Sequence, residues 1–93
     1  MSQKAVKIRI TGTVQGVGYR HWVVTEASRR GLNGWVRNRT YGSVEAFLSG
    51  QEAEVSNMVE ACHSGPNAAR VESVIVEPAL GITPSGFVQK PTV

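Results

Sequence analysis

The sequence predicts an α+β fold: one mostly antiparallel sheet with two helices on a single face. Three observations lead there. Several short segments alternate apolar and polar residues, the pattern of strands with one buried face. Two other segments repeat their apolar residues at helical spacing. Their order along the 93 residues is strand, helix, strand, strand, helix, strand, with a short strand near the end. A chain of this length is expected to form a single domain, residues 1–93.

Val6, Ile8 and Ile10 alternate with Lys7, Arg9 and Thr11 and mark the first strand. Residues 20–30 read as a helix, with Val23 and Ala27 four apart and Val24 beside them. Gly31 suits a left-handed cap, and Glu26 with Arg30 makes a favourable i,i+4 pair on the outer side. Leu32 to Asn38 form the second strand, and Arg39-Thr40-Tyr41-Gly42 a turn. In the third strand, Ser43 to Ser49, Val44, Ala46 and Leu48 share a face. Phe47 is an apolar exception on the other face, and Gly50 is expected to end the strand.

The second helix is better defined. Val55, Met58, Val59 and Cys62 fall at i, i+3, i+4 and i+7, with Glu52, Glu54 and Glu60 around them. Acidic residues in its first turn complement the positive end of the helix dipole, and Gly65-Pro66 stops it. Arg70 to Glu77 is a fourth strand rich in valine and isoleucine. Pro78, Gly81, Pro84 and Gly86 break the chain before Phe87-Val88-Gln89, a short edge strand. The order is that of the ferredoxin-like βαββαβ sandwich.

Composition narrows the function classes. No apolar run approaches the roughly 20 residues of a membrane span, and the N-terminus lacks the apolar core of a secretory signal. Cys62 is the single cysteine, so it forms no internal disulfide, and with His21 and His63 it makes no metal cluster. A reducing, cytoplasmic setting is expected. Ten Lys and Arg against seven Asp and Glu give a formal charge of +3. That excess suits a phosphate-bearing substrate and is too small to demand nucleic acid.

Between the first strand and first helix runs Gly12-Thr13-Val14-Gln15-Gly16-Val17-Gly18-Tyr19-Arg20. Glycines let the chain curl so that main-chain amides at a helix start face one anion. Arg20 can fork onto two phosphate oxygens. The expected ligand is a small phosphorylated molecule. His21, without a carboxylate or cysteine partner, reads as a surface residue. Trp22 and Trp35 read as packing residues, and Cys62 as a small buried hydrophobe. Arg29, Arg30, Arg37 and Arg39 read as solvated charges, the last two able to steer an anion.

The loop Gly12 to Arg20 resembles the first signature of the acylphosphatases. Gly34-Trp35-Val36-Arg37-Asn38, followed by Gly42-Ser43-Val44-Glu45-Ala46, resembles the second, in matching order and separation. The likeness covers about residues 5 to 90. It implies an enzyme that hydrolyses the carboxyl-phosphate bond of acyl phosphates to a carboxylate and inorganic phosphate, without metal or organic cofactor. It also implies that Arg20 binds the phosphate, that Asn38 positions the attacking water, and that Gln15, Gly16, Val17, Gly18 and Tyr19 supply backbone donors. The expected partner is a small-molecule acyl phosphate, with no nucleic acid or membrane, and the expected state is a monomer.

The chain departs from the family pattern at Arg39-Thr40-Tyr41, where relatives often carry aspartate or small polar residues, and in its last strand. Three other functions fit the same fold: a nucleic-acid module stacking bases on the open sheet, a carbamoyl-phosphate-handling domain of a larger maturation protein, and a non-enzymatic phosphate-binding regulator.

Overall fold

The computed structural model describes residues 2–80 and 85–93. The elements are β1 (Gln3–Thr13), α1 (Tyr19–Arg29), β2 (Asn33–Asn38), β3 (Val44–Gln51), α2 (Glu52–Cys62), β4 (Arg70–Pro78) and β5 (Phe87–Gln89). The strands form one sheet in the order β4-β1-β3-β2-β5. All neighbours are antiparallel except β2 and β5. This is the expected architecture, with β4 and β5 as the edges. The chain breakers Gly81 and Pro84 lie outside the described residues.

Register explains how the apolar alternation makes a core. Val6 faces Leu48, Ile8 faces Ala46 and Ile10 faces Val44, while Val36 lies on the other side of Ala46. A period of two puts all of them on one face. Both helices cover that face with Val23, Ala27, Val55, Met58 and Cys62, all fully buried. The opposite face has no helical cover, and Phe47 finds its shelter there. Its ring packs against Trp35 at 6.4 Å between centroids. Arg37 and Lys90 lie over the Trp35 ring at 4.4 and 5.0 Å.

Several boundaries shift from the sequence reading, β4 running through Pro78 among them, and two shifts have identifiable reasons. The first helix begins one residue earlier, at Tyr19, because Gly18 at φ 81° takes the left-handed conformation of its N-cap. The third strand runs through Gly50 to Gln51 instead of ending at the glycine. Gly50 pairs with Lys4. A Cβ on Gly50 would lie 2.7 Å from the Leu32 side chain, so the glycine makes room for a neighbour and does not punctuate the strand.

Because β1 and β2 are both antiparallel to β3, they run parallel to each other, and β5 follows β2. The carboxyl ends of all three strands therefore meet at one end of the sheet. Between Thr11 and Gly12 the register with β4 shifts by one residue, because Glu72 is left over on β4 between the partners Ser73 and Val71, and β1 runs on from there into the loop before α1.

Gly34 offers the sharpest test of this packing. Its φ is 142°, and a Cβ there would fall 1.8 Å from the Phe47 carbonyl oxygen. Gly34→Ala should lower the unfolding free energy by about 3 kcal/mol. Urea denaturation reads this directly, and an unchanged midpoint would contradict the strand geometry.

Candidate active site

A cleft of about 190 Å³ opens where those carboxyl ends meet. It is lined by Val14, Gly16, Gly18, Tyr19, Arg20, His21, Asn38 and Gln89. Its size is below the ~300–1,000 Å³ usual for drug-sized ligands and suits a small headgroup.

The glycine loop forms one wall. Gly16 and Gly18 both take positive φ, 74° and 81°, which only glycine adopts cheaply. Among the described residues, no main-chain amide from Gly16 to Arg20 donates to a backbone carbonyl. The α1 N-terminus has no side-chain cap and no acidic residue in its first turn. In contrast, α2 carries Glu52 and Glu54 there. The positive end of α1 is thus uncompensated by its own sequence and faces the cleft.

Arg20 adds a full charge. Among the described residues it makes no ion pair, whereas Arg29, Arg30, Arg37 and Arg39 are all held by Glu26, Glu45 or Glu54. Tyr19 anchors the loop from beneath. Its hydroxyl donates to the Cys62 carbonyl at 2.6 Å, satisfying an orphan acceptor in the last turn of α2. Its ring lies against Gly65, where a Cβ would come within 2.5 Å. Burial, and then the neighbouring Cys62, push the Tyr19 phenol above its ordinary value. Burial pushes the Cys62 thiol up to about 12, against lowering by Tyr19 and Arg30. Neither group ionises at neutral pH, and both are structural.

Asn38 forms the opposite wall, at the end of β2. Its main chain is held on both sides: it pairs with Val44, and its carbonyl accepts from the Val93 amide at 3.3 Å. Its side-chain Oδ1 is buried without a hydrogen-bond partner. Such an acceptor costs about 1–3 kcal/mol unless something donates to it.

Arg20 and Asn38 therefore share one cleft with Gly16, Gly18 and Tyr19. Gln15 and Val17 do not line it. The Gln15 carboxamide donates instead to the carbonyls of Arg39 and Ser43, and Val17 packs on the core. Tyr19 keeps its side chain buried, so only its main chain is available there. His21 lies in the lining but is exposed. Gln89 is an addition that the residue pattern did not single out. Placing it required knowing that β5 runs parallel to β2, with Gln89 beside Val36.

The acylphosphatase family model matches residues 6–88. The chain belongs to the acylphosphatase family. It is 49% identical to an acylphosphatase of Rhodospirillum rubrum over 96% of this chain and 98% of that protein. The structure of an acylphosphatase from Coxiella burnetii is similar, with a TM-score of 0.91 at 30% identity, covering 95% of this chain and 93% of that one. The Bacillus subtilis acylphosphatase crystal structure has a TM-score of 0.88 at 33% identity, covering 96% and 99%. This chain is thus an acylphosphatase-family enzyme with the fold of its relatives. No helix among the described residues is long and apolar enough to cross a membrane.

The buried pair beneath the site gives a pH signature for stability. Below about pH 8 both Tyr19 and Cys62 are essentially neutral whether folded or unfolded, so they contribute almost no slope. As pH rises past the ordinary values of 9.0 and 10.0, the unfolded chain loses these protons first. Stability should then fall, by up to about 1.4 kcal/mol per pH unit for each group. Urea titrations at pH 7 and pH 10.5 test this. The loss should shrink in Cys62→Ala, and an equal loss in that variant would contradict it.

Proposed function

We propose that the cleft hydrolyses acyl phosphates, with Arg20 and the loop amides holding the phosphoryl group and Asn38 orienting the attacking water. The observation that carries this reading is one cleft combining a guanidinium, helix-start amides and a buried carboxamide oxygen that all lack a partner among the described residues.

An acyl phosphate is already activated, so catalysis consists mainly of positioning and charge stabilisation. The amides of Gly16 to Arg20 and the Arg20 guanidinium are donors suited to the charge that develops on the phosphoryl oxygens. Asn38 Oδ1 accepts a hydrogen bond from water and aims its lone pair at phosphorus, in line with the departing carboxylate. A carboxamide is a poor base. A phosphoryl oxygen of the substrate therefore takes the water's proton, and the carboxylate leaves with the electrons of the broken P–O bond. No metal or organic cofactor enters these steps.

The nucleic-acid reading is less well supported. Base stacking needs open ring faces on the bare sheet. Phe47 is nearly buried there, and the Trp35 ring is overlaid by Arg37 and Lys90. A small-molecule substrate and a monomer remain the proposed state, with the cytoplasm as the proposed location.

The test is hydrolysis of benzoyl phosphate in the presence of chelator. Arg20→Ala should lose at least about 10²-fold in turnover, the scale of one transition-state donor. It should also bind inorganic phosphate more weakly. Asn38→Ala should lose turnover to a similar extent while still being inhibited by phosphate. Near-normal rates in either variant would overturn the assignment. So would a rate–pH profile with an enzyme base that disappears on replacing one side chain.

A further inference from the structure

Gln15 lies in the anion loop, yet its side chain is committed elsewhere. Nε2 donates to the Arg39 carbonyl at 2.7 Å and to the Ser43 carbonyl at 2.9 Å. These two residues are the ends of the turn between β2 and β3. The Arg39 amide donates to the Ser43 carbonyl at 2.8 Å, and the Gly42 amide to the Arg39 carbonyl at 3.0 Å. One NH₂ group thus spends both hydrogens across the mouth of the turn that immediately follows Asn38.

We propose that Gln15 is a positioning residue that fixes the anion loop relative to Asn38, and so sets where water stands against the phosphoryl group. The inference rests on the hydrolase reading and gives the Gln15 side chain a role as a tie, beside the backbone donor expected of this residue. The chemistry of the tie is specific. Both partners are carbonyl oxygens that already accept one main-chain amide within the turn, and a group with two hydrogens gives each a second donor. The loop and the turn are 24 and 28 residues apart in sequence at these two bonds. The substrate's phosphate is bound by the loop, and its water by the strand that enters the turn. In-line attack depends on the distance between them, and a misplacement of about 1 Å costs on the order of 10²-fold.

Gln15→Glu keeps the shape and inverts the chemistry. A carboxylate oxygen would face two carbonyl oxygens, and this repulsion raises its affinity for a proton. Protonation restores one donor. With benzoyl phosphate, the turnover of Gln15→Glu at pH 7.5 should be lower than wild type by roughly tenfold to 10²-fold. In the uncharged Gln15→Met, inhibition by inorganic phosphate should change by no more than about twofold, since Arg20 and the amides are untouched. Relative to wild type at each pH, turnover should recover on acidification to pH 5. Gln15→Met, which has neither hydrogen to give, should be equally slow and should show no such recovery.

Wild-type turnover in both variants would overturn the proposal. So would loss of phosphate inhibition in parallel with turnover in Gln15→Met, which would make Gln15 a ligand. Should both variants fail to fold, the wild-type protein still decides. Its Gln15 side-chain NH₂ protons should exchange slowly with solvent, and fast exchange would refute the tie. An inactive wild type would sink the hydrolase assignment and leave the exchange result to judge the tie alone.

Discussion

The constraint that organises this molecule is the parallel run of β1, β2 and β5 on either side of the antiparallel β3. It brings three strand ends and one helix start to the same end of the sheet. Backbone groups there lack ladder partners, which is why ligands settle at the carboxyl ends of parallel strands. Here the helix start has no side-chain cap, an arginine without an ion pair among the described residues follows it, and a strand end presents a carboxamide. Each feature alone is common and carries little information. Their convergence follows from topology.

The cleft holds several polar groups that are incompletely satisfied by the protein. The buried Oδ1 of Asn38 is costly unless something donates to it, and among the described residues the amides of Gly16 to Arg20 have no backbone acceptor. The surrounding structure bears that cost. Tyr19 is pinned to α2, Val14 is fully buried, and the main chain of Asn38 is held by Val44 and Val93. Donors held in place before the substrate arrives need not reorganise as charge develops. The rigid support and the unsatisfied groups are two aspects of one arrangement.

Most of the fold was legible because its signals are local. Alternation at Val6, Ile8 and Ile10, and the heptad-like spacing of Val55, Met58, Val59 and Cys62, need no distant partner to interpret. The glycine loop and Arg20 were legible for the same reason, and the family signatures added Asn38. What stayed hidden was long-range. Gly50 looked like a strand end, yet it answers to Leu32 across the sheet. Phe47 looked like an exception until Trp35 lay beside it. Gln15 was expected to lend its main-chain amide to the cradle, and nothing near it in sequence shows the two carbonyls its side chain serves. Gln89 had no signal at all before the β2–β5 register was known.

The central claim is that an oxyanion is held by the main chain at the start of α1, within reach of the carboxamide of Asn38. A titration of the ¹⁵N-labelled protein with inorganic phosphate, followed by amide NMR, measures this residue by residue. The account predicts saturable downfield proton shifts concentrated at Gly16, Val17, Gly18, Tyr19 and Arg20, with the Asn38 side-chain NH₂ moving along the same isotherm. Shifts confined to the open sheet face around Arg9, Arg37 and Lys90, with the loop amides unmoved, would contradict it.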